Sequence, residues 1–575
     1  MARDLFKKLN NPTSTVSRNP FDLSQRVIYS ARAGMCIPTL CMETVKGDTF
    51  KIDTTVFNRT VKLLAPAFFR CKQYNHFYFV PYNTLWHNWD SFFTRSTEQY
   101  SAASKGNAYV PSFDISSFIK KLNTNELNNI EDMLGYQAKL GCDRLMQMLG
   151  YLDSQVAAMP DDTPVYANLF RIAAYNKIWY WYFRDKRHSI AANLFTPNQF
   201  VQYYNLDDID CSSFQTSHVT DVGRLVAMFA PKYRTWDSDV FTNNYENTQF
   251  GDVSILSSNI TTITLPNFQG NASQRLGISV TPTGSSQVIV RNSDNTAPSG
   301  GTSFQLPNLF NILSLRRAES VQHWRELMLR AGDSSKKRYE AMFGSSPKRD
   351  DDVPYYLGGF DVNLNIDDVT STSFTTSDGT TIQNNGLGEL AGKGIMVKDG
   401  HHIQFNAPDY GIIMCITTFL PLSEYDGRYM HKANTLLEPT DFYVPQYDRL
   451  GFEPIVASEQ FTNNLINRNI ILGYTVRNHY LKSAVDRIYN NFRSGKSWSY
   501  WTNPRRDLWN PNPNLPQHYR VYYVDPANLN PLFGAKVDDS PGIPDEVYDQ
   551  DQFQCMSYFN INAIRPMSEL GLPPM

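Results

Sequence analysis

No stretch of this chain is apolar for long enough to cross a membrane. The longest apolar runs, near Ile178 to Phe183 and Gly411 to Leu422, are short or interrupted beside the roughly 20 residues that a span needs. Cysteine is also scarce. The seven cysteines (Cys36, Cys41, Cys71, Cys142, Cys211, Cys415 and Cys555) are too few in 575 residues, and odd in number, for a disulfide scaffold. They read as small buried hydrophobes kept reduced. Charge is thin too: 19% of residues are charged, and 53 basic against 56 acidic residues leave a formal net charge of −3. That balance gives no case for a chain wholly devoted to nucleic acid. The start, Met1-Ala2-Arg3-Asp4-Leu5-Phe6-Lys7-Lys8, has neither the apolar stretch nor the cleavage site of a secretory leader. The expectation is a chain made and assembled in a cytoplasm.

Motifs for chemistry are missing as well. Arg493-Ser494-Gly495-Lys496-Ser497 ends like a phosphate-binding loop, but Asn490 stands where the motif needs its first glycine. Gly386, Gly388 and Gly392 miss dinucleotide-binding spacing by one residue, and no strand leads into them. His401 and His402 are adjacent, so in a strand they point to opposite faces, and Cys36 and Cys41 have no second pair to complete a zinc site. No nucleophile elbow is present and no carboxylate pair stands out. The reading is therefore no enzyme, no cofactor and no metal.

What the chain has in quantity is aromatic residues, 13% of the total. Low charge with many aromatics suits extensive protein–protein burial, since interface cores lose charge and gain Tyr, Trp and Phe. Residues 26 to 80 read as strands broken by turns such as Gly47-Asp48. Helical spacing takes over from Ile115 to Phe195, with Ile178 to Phe183 as a buried aromatic anchor. Residues 241 to 305 hold only five charged side chains (Glu246, Asp252, Arg275, Arg291 and Asp294) and short β-branched runs between turn residues. They read as a surface excursion with small β structure of its own. The helix that follows places Ala318, Val321, Trp324 and Met328 on one face, read as core, and Gly332 is its expected left-handed cap. Strand-like runs return after Val353, and Gly411 to Phe419 is apolar throughout, as in a strand buried on both faces.

The densest aromatic block is residues 76 to 93. Phe77-Tyr78-Phe79-Val80 is of strand type, Pro81 should end that strand, and Leu85, Trp86, Trp89, Phe92 and Phe93 then recur at helical spacing. This Phe-Tyr-Phe-Val-Pro, then Leu-Trp-x-x-Trp, resembles a signature of microvirus major capsid proteins, although Tyr82-Asn83-Thr84 departs from the Asn-Arg that many relatives carry there. Further blocks follow in the family's order: Leu315-Arg316-Arg317-Ala318 with Gln322 and Trp324, Arg330-Ala331-Gly332, Arg338-Tyr339, Phe343-Gly344, Tyr356-Leu357-Gly358-Gly359 and Thr370-Ser371-Thr372-Ser373. Asp441-Phe442-Tyr443-Val444-Pro445 with Leu450-Gly451, and Arg565-Pro566-Met567 with Gly571-Leu572-Pro573, complete the run.

The resemblance is to the gokushovirus-like branch. It implies a mainly β fold, a single eight-stranded jelly roll with long loop insertions containing helices and small β structure. It also implies pentamers in a T=1 icosahedral shell around circular single-stranded DNA, small DNA-binding and scaffolding partners, and a place in the virion. On this division residues 1–240 form the N-terminal part of the jelly roll with a helical insertion. Residues 241–305 form a surface insertion, a candidate three-fold protrusion for a host cell-surface receptor, and residues 306–575 form the C-terminal part. Candidates for meeting the genome come from two basic stretches. One holds Lys7, Lys8 and Arg18; the other interleaves Lys496, Arg505 and Arg506 with Trp498 and Trp501, as in grips on unstacked bases. An aromatic contact between subunits is the other reading of the second stretch. The alternative for the whole chain is a secreted or surface glycan-binding protein with aromatic platforms.

Overall fold

The computed structural model describes residues 17–569 apart from 95–108, 124–133, 135–137, 153–163, 188–203, 212, 250–260, 266–273, 281–285, 293–301, 307–311, 333–334, 346–352, 371–389, 427–429, 449–450, 461–470, 506–521 and 534–550. The chain forms two compact units, Met1–Glu246 with Asp350–Met575, and Asn247–Arg349.

The first unit is built on two antiparallel sheets. One holds β1 (Asn19–Asp22), β2 (Gln25–Ala31), β4 (Thr49–Thr60), β7 (Asn365–Thr370), β8 (Leu390–Asn406) and β10 (Phe553–Arg565), with β3 (Ile37–Thr44), β5 (Cys71–Pro81), β6 (Tyr355–Asn363) and β9 (Gly411–Pro421) in the other. In the first sheet β1 and β2 both pair with β10, followed by β4, β8 and β7; the second runs β6-β5-β9-β3. Strands from opposite ends of the chain are therefore neighbours: Phe553 lies beside Thr60 and Ile564 beside Thr49.

Alternation decides which side chains face inward. In β4, Phe50, Ile52, Thr54, Val56, Asn58 and Thr60 are buried while the residues between them are not. The inner faces meet through rings: Phe77 to Phe559 at 6.2 Å, Phe79 to Phe405 at 5.0 Å and Phe419 stacked on Phe553 at 4.3 Å. A polar thread crosses this apolar layer. Thr39 and Thr417 share a hydrogen bond of 3.0 Å, Thr417 donates to Asn75 Oδ1 at 2.7 Å, and Gln73 Nε2 donates to the same oxygen at 3.2 Å. Asn58 Nδ2 then donates to Gln73 Oε1, and the backbone N–H of Met556 donates to Asn58 Oδ1 at 3.0 Å. The thread ties five strands of the two sheets together, and each link satisfies a group that burial would otherwise penalise.

The strand expectations hold. β9 is buried along its whole length because the second sheet has a layer on each side. Its outer face and that of β5 lie under α2 (Phe170–Ile178) and the π-helical turn Trp179–Phe183, where Phe183 packs on His76 and Tyr78. β5 ends at Pro81, which has no N–H to donate to a continued ladder. Leu85 and Trp86 are then fully buried, and the Trp89 ring packs on Tyr82 at 4.8 Å and Phe170 at 5.7 Å. The Tyr-Leu-Gly-Gly run has a backbone reason. Gly358 sits at a bulge in β6 with a φ of 133°, and a Cβ on Gly359 would stand 2.5 Å from the Asn75 carbonyl oxygen.

In the helical region before residue 246, α1 (Ala138–Leu149) packs on α3 (Val222–Phe229), and the Cys142 thiol points at the Val226 carbonyl. The second unit holds two antiparallel strand pairs, Thr261–Leu265 with Thr302–Leu306 and Gln274–Val280 with Ser286–Asn292, followed by α4 (Ile312–Ala331) and α5 (Ser335–Phe343). Gly332 follows α4 with a φ of 73°, as a left-handed cap requires. The expected core face of α4 is a correction. Trp324 is 46% exposed, Leu313 and Leu315 are exposed, and Ala331 is the one buried apolar side chain described in this unit. Helical spacing puts apolar residues on one face; it does not supply a layer to cover that face, and here no described core does so.

Candidate functional site

Two short 3₁₀ turns, Asn490–Phe492 and Ser499–Trp501, present an aromatic ledge on the first unit. The loop between them folds back on itself: Lys496 N donates to the Arg493 carbonyl at 3.1 Å, and Trp498 N to the Asn491 carbonyl at 3.0 Å. Thr502 Oγ1 donates to the Phe492 carbonyl at 2.8 Å and closes the loop. Phe68, from the segment before β5, completes the ledge. Its N–H donates to the Trp501 carbonyl at 2.8 Å, and its ring lies 5.6 Å from Trp501 and 6.0 Å from Phe492. Phe492 in turn packs 5.2 Å from Trp498. Phe68 is 65% exposed and Trp498 47%, so the rings offer their area to whatever lies outside. Exposed Lys496 adds a cation beside them.

Arg505 does a different job from Lys496. Its side chain is buried, with Nη1 donating to the Tyr425 hydroxyl at 2.9 Å and the guanidinium carbon 4.8 Å from the Trp236 ring centroid. Tyr425 donates onward to Asp239 Oδ2 at 2.6 Å. Burial raises the Tyr425 hydroxyl far above its ordinary range, so it stays a neutral donor. Arg505 is thus held inside the fold a few residues after the ledge, in the small parallel sheet where Pro504–Arg505 and Asp486–Ile488 flank Glu424–Asp426. Beside it, burial pushes the Glu424 carboxyl up to about 7, against the pull of Arg70.

Of the other candidates, Arg18 lies elsewhere, its Nη2 donating to the Gly47 carbonyl at 2.8 Å on the turn between β3 and β4. Lys7, Lys8 and Arg506 lie outside the described residues. Phe68 and Phe492 were missed by the sequence reading, although one signal was present. Phe68 and Phe69 are adjacent in an extended segment, so one of them has to face out; Phe69 is the buried one.

A second cluster was also missed. His479 is buried with a carboxylate on each ring nitrogen, Glu453 Oε1 at 2.7 Å from Nδ1 and Glu459 Oε2 at 3.1 Å from Nε2. Lys432 Nζ reaches Glu459 at 3.6 Å. Burial opposes the imidazolium, but the two acids outweigh it and raise His479 to about 9. With both nitrogens engaged the ring is a structural cation. Among the described residues no group of His, Cys, Asp and Glu could hold a metal ion, and no described helix is long and apolar enough to cross a membrane. The seven cysteines are unbridged; burial pushes the Cys415 thiol up to about 12. The described geometry is one of surfaces and braces.

The family model described as capsid protein (F protein) matches residues 10–575. Capsid protein VP1 of Chlamydia phage 1 is 21% identical over 643 residues, covering 98% of this chain and 96% of that one. Capsid protein VP1 of Bdellovibrio phage phiMH2K is 22% identical over 584 residues, again covering 98% and 96%. With a match that runs almost from end to end, the chain belongs to the capsid protein (F protein) family, the microvirus family its motifs resemble.

Proposed function

We propose that copies of this capsid protein associate as pentamers and close into a T=1 icosahedral shell around a circular single-stranded DNA genome, with small DNA-binding and scaffolding proteins as partners in assembly. The observation that carries this reading is the family match over residues 10–575. In it, eight strands of the two sheets form the single jelly roll, and the remaining segments are its insertions. The shell needs self-complementary surfaces, and the exposed side chains of Leu437 and Phe442 are the kind of area that a closed assembly covers.

On the same reading Lys7, Lys8, Arg18, Lys496, Trp498, Trp501 and Arg506 meet the genome, while the buried Arg505 serves the fold. Rings of this kind stack on unpaired bases without regard to sequence, and lysines follow the backbone. Residues 241–305 serve host attachment, several copies of one weak site giving avidity toward a repetitive cell surface. Sedimentation of the expressed protein with its assembly partners tests the shell. Pentamers or shells are expected; a monomer that stays soluble at high concentration would overturn the reading.

A further inference from the structure

A cavity of about 770 Å³ opens in the first unit where β2, the start of β3, β4 and β10 meet α1. Its wall is apolar, with Met35, Ile37, Phe57, Leu145, Met148 and Met556 contributing most of the character. Interiors rarely keep voids larger than a water molecule, and an apolar space of this size offers water few partners. The volume lies within the roughly 300–1,000 Å³ of small-molecule sites.

Both tyrosine hydroxyls and one of the two arginines on its wall are committed. Tyr175 donates to the Cys36 carbonyl at 2.9 Å, Tyr29 shares a hydrogen bond of 3.4 Å with Ser557, and Arg144 is ion-paired with Asp551. Arg59 is the exception. It is exposed, lines the same cavity, and among the described residues meets no carboxylate; its guanidinium carbon lies 4.8 Å from the Phe57 ring centroid. Ile28, on the same wall, is 66% exposed and marks the open side. An apolar chamber with one uncommitted guanidinium has the chemistry of an anionic amphiphile site, since Arg pairs bidentately with carboxylate or phosphate.

We propose that this cavity binds one single-tailed anionic amphiphile, its acyl chain among Ile37, Leu145 and Met148 and its head group on Arg59. Binding to the folded chain alone would also raise its thermal stability. The test uses assembled particles titrated with hexadecanoate, a lysophosphatidylglycerol and hexadecanol, read by calorimetry, native mass spectrometry and melting temperature. At least one of the two anions should bind once per chain and raise the melting temperature, with hexadecanol about tenfold weaker, as loss of one charge-assisted contact implies. Preference for hexadecanoate identifies a free fatty acid; preference for the lysolipid identifies a membrane lipid. Arg59→Gln, at an exposed position, should weaken the anion about tenfold and leave hexadecanol unchanged. Leu145→Trp should fill the chamber and abolish both. The proposal is overturned if neither anion binds stoichiometrically, if acid and alcohol bind alike, or if Arg59→Gln changes nothing. It also fails if isolated chains bind and assembled particles do not, because the cavity is then filled by a neighbouring copy.

Discussion

His479 keeps its charge inside the fold because Glu453 and Glu459 hold both ring nitrogens, and this makes stability depend on pH in a definite direction. Its folded pKa, about 9, lies above the roughly 6.5 of an unfolded histidine. The contribution is therefore complete below about pH 6.5 and is lost as pH rises through about 9. Glu453 runs the other way. Burial pushes its carboxyl up, but His479 holds it below its ordinary value, so its share is lost in acid. Melting temperature should therefore fall between neutral pH and about 9, and His479→Gln should flatten that slope while costing about 3 kcal/mol. An unchanged alkaline slope in the variant would show that another group controls it. The polar thread makes a second residue-scale case. Gln73→Leu strands the Asn58 amide in the sandwich and should cost about 1–3 kcal/mol in a denaturant titration. Neither cluster was legible in the sequence, because positions 453, 459 and 479, or 39, 58, 73, 75 and 417, become neighbours only once the strands pair.

At the scale of elements, local pattern was a good guide wherever both the element and its cover come from short-range chemistry. The unbroken apolar run of β9 announced burial on both faces, Pro81 announced the end of β5, and Gly332 announced the end of α4. The face of α4 was misread for the opposite reason: its cover, or lack of one, is not a local property. With Trp324 at 46% exposure, Trp324→Ala should change the unfolding free energy of the isolated chain by no more than about 0.5 kcal/mol. A loss of several kcal/mol in the same titration would mean that the ring is buried in the folded chain after all. The ledge shows the same limit. Its Trp498 and Lys496 were read from the interleaving of cations with aromatics, while the buried place of Arg505 depends on Tyr425 and Trp236, far away in the chain.

Across the whole molecule, the sandwich interleaves both ends of the chain, β10 between β2 and β4 and β9 between β3 and β5. Sequence could indicate strands at both ends; the pairing is fixed by which inner faces fit, and that is invisible to a local window. The same topology leaves Asn247–Arg349 as a compact unit of its own, entered after Tyr245, whose N–H donates to the Tyr474 carbonyl at 2.8 Å. Replacing residues 250–305 by a Gly-Ser linker should leave the sandwich folded, since closure entropy grows slowly with loop length. Circular dichroism and the melting temperature would check this, and loss of folded protein would contradict it. The central claim is that the chain's function is to close with its own copies. Electron microscopy of protein purified with its assembly partners tests that most directly: the account predicts closed T=1 shells and free pentamers, and a field of dispersed monomers with no closed particle at any concentration would contradict it.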